Sequence, residues 1–176
     1  MENISMRPTA LRYGAVGALL IIVFGLLLFV TGISDPAGGK NSWIQSSFQL
    51  IVCIATMVLA TRYHRDEVLG GYISMGRITA LGGYLGLIIG ILTGIWSYVF
   101  FAFLQPNLMT QMLETTREQM IARGTPSEQI DQAMAMTSMF MQPGVIAVTG
   151  VCFTVILMVI TAIGVGFFMK KTPEFG

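Results

Sequence analysis

The chain alternates four long apolar runs that carry no charged residue with segments that hold every charge it has. The runs cover residues 13–33, 41–61, 78–104 and 143–169. Each reaches or exceeds the ~20 mainly apolar residues that a helix needs to cross ~30 Å of hydrocarbon. The predicted fold is therefore all-α: a four-span transmembrane helical bundle, with one membrane domain over residues 1–176.

Composition supports the same class. Of the 176 residues 54% are hydrophobic and only 11% charged, far from the balance of a soluble domain. Net charge is +1, and the ten Lys and Arg residues are scattered over five segments. No basic stripe faces a row of phosphates, so nucleic acid is excluded as a partner and the lipid bilayer is the expected one.

The first run invites comparison with a signal peptide, since Arg7 and Arg12 precede it and Gly32-Ile33-Ser34 is a small-x-small triplet. Its 21 charge-free residues exceed the ~7 to 15 of an ordinary signal h-region, so a retained first helix is expected. No lipobox cysteine follows it, and no glycine stands second for myristoylation.

Orientation follows from the cationic flanks. Arg7, Arg12, Arg62, Arg65, Arg77, Lys170 and Lys171 fall on one side of an alternating topology; Lys40, Arg117 and Arg123 fall on the other. The positive-inside rule then predicts both termini in the cytoplasm. Tyr13, Trp43 and Tyr63 stand near run ends, where amphipathic rings anchor at the headgroup level.

The connections differ in character. Residues 62–77 hold a Gly70-Gly71 pair, which marks a turn that tolerates positive φ, and His64, the single histidine of the chain. Asp66 and Glu67 beside it lack metal-ligand spacing, so His64 reads as an interfacial side chain among mixed charges. Residues 34–40, with Asp35-Pro36 and Gly38-Gly39, are turn chemistry.

Residues 105–142 are too long a stretch to lack structure of their own. A first helix is expected over 107–123, with Leu108, Met112, Met120 and Ile121 at helical spacings and Gly124 ending it. Thr125-Pro126-Ser127-Glu128 then supplies an N-cap, a first-turn proline and a capping-box glutamate. Ile130, Ala133, Met134 and Thr137 continue one face of a second helix. The prediction is an extracytoplasmic helical hairpin, about 107–141, stacked on the ends of spans three and four.

The sharpest pattern lies in the third run, where Gly82, Gly86, Gly90 and Gly94 recur every four residues with Gly83 beside the first. Such a glycine zipper lets two backbones approach closely in lipid, where the aqueous drive between helices is missing. These four are the candidate helix-packing residues. Gly14, Gly17 and Ala18 on the first helix or Gly150 on the fourth are intramolecular candidates to meet them; a second protomer in a homo-oligomer or a partner membrane subunit are the intermolecular ones. Gly90→Ile is expected to disrupt the contact.

No Asp, Glu, Lys, Arg or His interrupts any run, which argues against ion-coupled transport, proton relays and voltage sensing. Gln45, Ser46, Ser47, Gln49, Thr56, Thr93, Thr154 and Thr161 are the polar residues available there, and they read as interhelical hydrogen-bonding groups. Cys53 and Cys152 lie inside runs and read as small buried hydrophobes, with neither a disulfide nor a metal site. Seven methionines fall in the expected hairpin (Met109, Met112, Met120, Met134, Met136, Met139 and Met141), and without His or Cys nearby they read as adaptable packing rather than soft metal ligands. Glu114, Glu118, Glu128 and Asp131 have no histidine, nucleophilic thiol or glycine-framed serine beside them, so no acid-base or triad logic assembles. No P-loop or dinucleotide fingerprint follows a strand. Neither an enzyme nor a cofactor is expected.

Two segments carry a family resemblance: Gly70-Gly71-Tyr72-Ile73-Ser74-Met75-Gly76-Arg77, leading into span three, and Gly124-Thr125-Pro126-Ser127-Glu128-Gln129-Ile130-Asp131 with Met134 after it. With the four spans and the long connection before the last, the chain resembles domain-of-unknown-function family 4199 over nearly its full length. The resemblance implies a small multi-pass protein of the bacterial inner membrane and brings no catalytic or binding residues with it. Two functions stand beside each other: a non-enzymatic accessory or structural subunit that acts through helix packing, and a small homo-oligomeric transporter or channel for an uncharged solute.

Overall fold

The computed structural model describes residues 5–34 and 41–170, and six α-helices account for most of them. In chain order they are α1 Arg7–Val30, α2 Ser42–Tyr63, α3 Met75–Val99, α4 Pro106–Ala122, α5 Ser127–Phe140 and α6 Pro143–Met169. Two of the long helices end in π-helical turns, His64–Val68 after α2 and Phe100–Leu104 after α3, closed by Leu69 N–H to His64 O at 3.0 Å and Gln105 N–H to Phe100 O at 2.8 Å. The turn expected at Asp35-Pro36 and Gly38-Gly39 lies outside the described residues.

Four helices, α1, α2 with its π turn, α3 with its π turn, and α6, are long and apolar enough to cross a membrane. Their surface is the other half of the case. Leu19, Leu27 and Val30 of α1 and Phe153, Ile156, Ile160 and Phe167 of α6 all stand exposed. So much contiguous apolar surface is at home in hydrocarbon and not in water. The chain is a multi-pass integral membrane protein.

The helices run beyond the apolar runs. α1 starts at Arg7 rather than near Tyr13, because an arginine at a helix end reaches back to polar surroundings along its own aliphatic stem and does not stop the backbone ladder. α3 starts at Met75, where Ser74 caps it by accepting the Arg77 N–H at 3.4 Å. Just before it, Gly70 and Gly71 take φ of +68° and +99°.

α3 is the axis of the bundle: it packs on α6 over its whole length and on α1 from another side, while α2 lies against α1 and α6. Tyr13 meets Tyr63 at 5.8 Å and Phe24 stacks on Phe48 at 3.7 Å, so α1 and α2 are antiparallel. The buried centre is Ala10, Ala18, Ile21, Val52, Cys53, Met57, Ile78, Leu81, Leu85, Ile89, Met158 and their neighbours. Of the two cysteines only Cys53 is buried; Cys152 is exposed on the outside of α6, so the expectation of burial holds for one of them.

α4 and α5 pack on each other beyond the ends of α3 and α6. Gly124, at φ +74°, ends α4 in a Schellman arrangement, with Thr125 N–H to Met120 O at 3.1 Å and Gly124 N–H to Ile121 O at 2.9 Å. The expected capping box does not form. α5 begins at Ser127, Pro126 is its N-cap with no side-chain bond, and the Thr125 N–H is engaged in closing α4.

Candidate functional site: a cavity among the four long helices

The glycine stripe is spent inside the chain. A Cβ on Gly86 would stand 2.8 Å from Val155 Cα, one on Gly90 3.1 Å from Val151 Cα, and one on Gly94 3.2 Å from Ala147 O; Gly82 lies against Met158 and Ala162. The α3 backbone therefore rests directly on α6. Gly14 and Gly17 of α1 make the corresponding approach to other sides of the bundle, to Ile88 of α3 and to Thr56 of α2, each with 2.8 Å to a would-be Cβ. Gly150 faces open space instead.

That open space is a partly open cavity of about 370 Å³ toward the α4–α5 end of the bundle. α1 contributes Ile21, Ile22, Gly25, Leu26 and Phe29; α2 contributes Gln45 and Gln49; α6 contributes Gly150, Phe153 and Thr154. α3 and its π turn supply Thr93, Gly94, Trp96, Ser97, Phe100 and Phe101. Phe100 and Phe101 of the π turn both line the cavity. Phe100 meets Phe29 edge-on at 5.1 Å and Trp96 at 6.2 Å, which makes one wall continuous aromatic surface.

Among the described residues the polar lining is uncharged. Gln45 Oε1 is buried and has no hydrogen-bond partner among the described residues, and its amide leans on α1 where Gly25 leaves room: a Cβ there would stand 3.3 Å from Nε2 and 3.4 Å from Oε1. Thr93 donates to Ile89 O at 2.8 Å and Thr154 donates to Gly150 O at 2.8 Å. The threonines thus differ from the interhelical role expected of them. Thr56 and Thr161 likewise donate within their own helices, to Val52 O at 2.7 Å and Leu157 O at 2.8 Å, since a helical threonine reaches the carbonyl four residues back more easily than a neighbouring helix.

A second polar cluster lies at the other end of the bundle. His64 is fully buried, with the start of α1 laid against it through Thr9. Thr9 Oγ1 lies 3.2 Å from His64 Nδ1, while His64 Nε2 and Thr61 Oγ1 have no partner among the described residues. Of the expected anchors, Tyr63 carries the Arg12 guanidinium 5.9 Å above its ring, and Trp43 is 68% exposed. In the α4–α5 pair Met109 is buried while Met136 and Met139 are exposed, and Arg117 meets Asp131 at 3.5 Å on the surface. Among the described residues no three His, Cys, Asp or Glu side chains gather where a metal would need them.

The model of the family described as "Protein of unknown function (DUF4199)" matches residues 12–171, which takes in all four long helices and the α4–α5 pair. The chain belongs to the DUF4199 family. No curated protein and no solved structure matches it. For this DUF4199 member the chemistry of the site has to be read from the cavity itself. Sequence reasoning had Gln45, Gln49, Thr93 and Thr154 in hand but not their convergence, which depends on how four helices are turned about their axes.

Proposed function

We propose that this chain is a non-enzymatic membrane protein that binds a small uncharged molecule in the cavity between its four long helices. One observation carries the reading: a cavity of about 370 Å³ with largely apolar and aromatic walls, on which the uncharged polar residues Gln45, Gln49, Thr93, Ser97 and Thr154 converge. Apolar walls with a few converging polar groups are the ordinary make-up of a small-molecule site. The cavity is formed by one chain, so a homo-oligomer is not required for binding, and carriage of the solute across the membrane is the transport form of this function.

A second reading, an accessory subunit that packs on a partner membrane subunit, draws on α5, where Met136, Met139 and Phe140 stand exposed together. The glycine stripe no longer favours it, since α6 already occupies that face. For location, the seven-to-three distribution of Lys and Arg supports cytoplasmic termini and an extracytoplasmic α4–α5 hairpin, and the family resemblance supports the bacterial inner membrane.

The binding reading is tested with tryptophan fluorescence. The chain has two tryptophans, and Trp43→Phe leaves Trp96 on the cavity wall as sole reporter. Titration with 4-bromotoluene, a neutral heavy-atom quencher, should quench it saturably. Gly150→Leu, at a cavity-lining position where an added Cβ would meet no protein atom, should abolish saturation while leaving the fold intact. Linear, non-saturating quenching in both proteins contradicts the reading.

A further inference from the structure

α5 divides its circumference into three strips. At the helical step of ~100° per residue, Ile130, Ala133, Met134 and Thr137 share one strip, and it is the covered one: Ile130 is buried and the other three are half-buried. Asp131, Ala135 and Ser138 lie along a second strip, small or polar and exposed throughout. The third strip changes along its length. Gln129 and Gln132 occupy its first half, and Met136, Met139 and Phe140, at the i, i+3, i+4 spacing of a single helix face, occupy its last turn. These three side chains are 64%, 68% and 63% exposed.

The place of that apolar turn says what covers it. Phe140 stands three residues before Pro143, where α6 begins, and so no more than ~10 Å from it along the chain. α6 has 27 residues. At 1.5 Å each it is ~40 Å long, which exceeds the ~30 Å of hydrocarbon and matches the ~40 to 45 Å of a bilayer counted through its headgroup layers. The first turn of α6 therefore lies among headgroups, and the last turn of α5 lies beside it. The same level is marked twice more. Phe103 and Leu104 are exposed where the chain leaves α3 for α4, and Trp43 is exposed at the start of α2, at the same end of the bundle. Met136, Met139 and Phe140 thus continue the lipid-facing surface of the long helices into the headgroup zone, where aromatic side chains anchor.

The α4–α5 pair has little else to hold it down. Its buried side chains are Leu108, Met109 and Ile130. Glu114, Glu118, Glu128 and Asp131 outnumber Arg117 and Arg123, so the pair is net negative and gains nothing from anionic headgroups. Attachment to a membrane surface has to come from apolar insertion. We infer that the last turn of α5 is an interfacial anchor: Met136, Met139 and Phe140 insert below the headgroups of the adjoining leaflet, while the Gln129 and Gln132 half of the strip stays at the aqueous side. The α4–α5 pair then lies obliquely on the bilayer, and the partner of this surface is lipid. The inference is independent of what the cavity binds, and it takes from a partner subunit the strip on which the accessory reading draws.

The test uses one tryptophan as reporter. In a Trp43→Phe, Trp96→Phe protein held in phosphatidylcholine nanodiscs, whose two faces are both open to the aqueous phase, Phe140→Trp is compared with Ala135→Trp. Two quenchers are applied: phosphatidylcholine brominated on the upper part of its acyl chains, and aqueous iodide. Brominated lipid should quench Phe140→Trp several-fold more than Ala135→Trp, and iodide should reverse the order. Ala135 is little more than one turn away on the second strip, so mere nearness of α5 to the membrane would not separate the two positions. Iodide quenching of Phe140→Trp without lipid quenching overturns the anchor and returns the strip to a foreign subunit. Quenching by neither agent also overturns it, in favour of cover by a second copy of the chain. Equal lipid quenching at both positions overturns insertion through this face. Met139→Trp in the same background gives the same reading where Phe140→Trp fails to fold.

Discussion

Thr9 and His64 meet at 3.2 Å where the start of α1 passes the end of α2, in a place closed to solvent. The bond holds one imidazole nitrogen; the other, and the neighbouring Thr61 hydroxyl, have no partner among the described residues. In such surroundings losing one partner costs more than losing both, since the remaining group keeps its desolvation penalty. Thr9→Val should therefore lower stability by about 1 to 3 kcal/mol. Adding His64→Leu to it should restore part of that loss. Thermal unfolding of the single and double variants in one detergent reads the difference; a double variant weaker than the sum of its parts contradicts the role given to the pair. The sequence showed that His64 was alone but not that it was buried, because nothing in its local run of Arg65, Asp66 and Glu67 signals that α1 crosses over it.

At the level of elements, the apolar runs were plain in the sequence because hydrocarbon tolerates no charge for about 20 residues, and that requirement is one-dimensional. Helix ends were less plain: Arg7 lies inside α1 and Thr125 caps nothing, since both depend on where side chains and N–H groups find partners in space. The four-residue glycine period was legible as a contact surface, whereas its partner, α6, was not. That contact is now specific enough to predict from. At Gly90 a side chain would push on Val151 backbone atoms 3.1 to 3.2 Å away, which cannot rotate aside. Gly90→Ile should cost about 3 kcal/mol, the upper range for overpacking. Gly83→Ala, next to the stripe but facing open space, should be neutral or stabilising by up to about 1 kcal/mol. Equal melting temperatures for Gly90→Ile and the parent protein would show that the α3–α6 approach does not hold the bundle together.

The whole molecule places two unlike ends on one bundle: a sealed end, where His64 and Thr9 are packed away, and an end with the cavity beneath α4 and α5. On the orientation proposed from the cationic flanks, the sealed end faces the cytoplasm. Alkaline phosphatase fused at Gly124 should therefore be active, and green fluorescent protein fused after Gly176 should fluoresce; the reverse pattern contradicts the orientation. The cavity was the least legible feature, being assembled from residues 21–29, 45–49, 93–101 and 150–154 with no motif joining them. Its occupancy is also the claim on which the functional reading stands. Native mass spectrometry of the protein extracted gently from its own membranes tests it directly: one small-molecule adduct per chain should be retained and should disappear in Gly150→Leu. A chain free of adduct that carries a stoichiometric foreign subunit would contradict the binding reading and favour the accessory one.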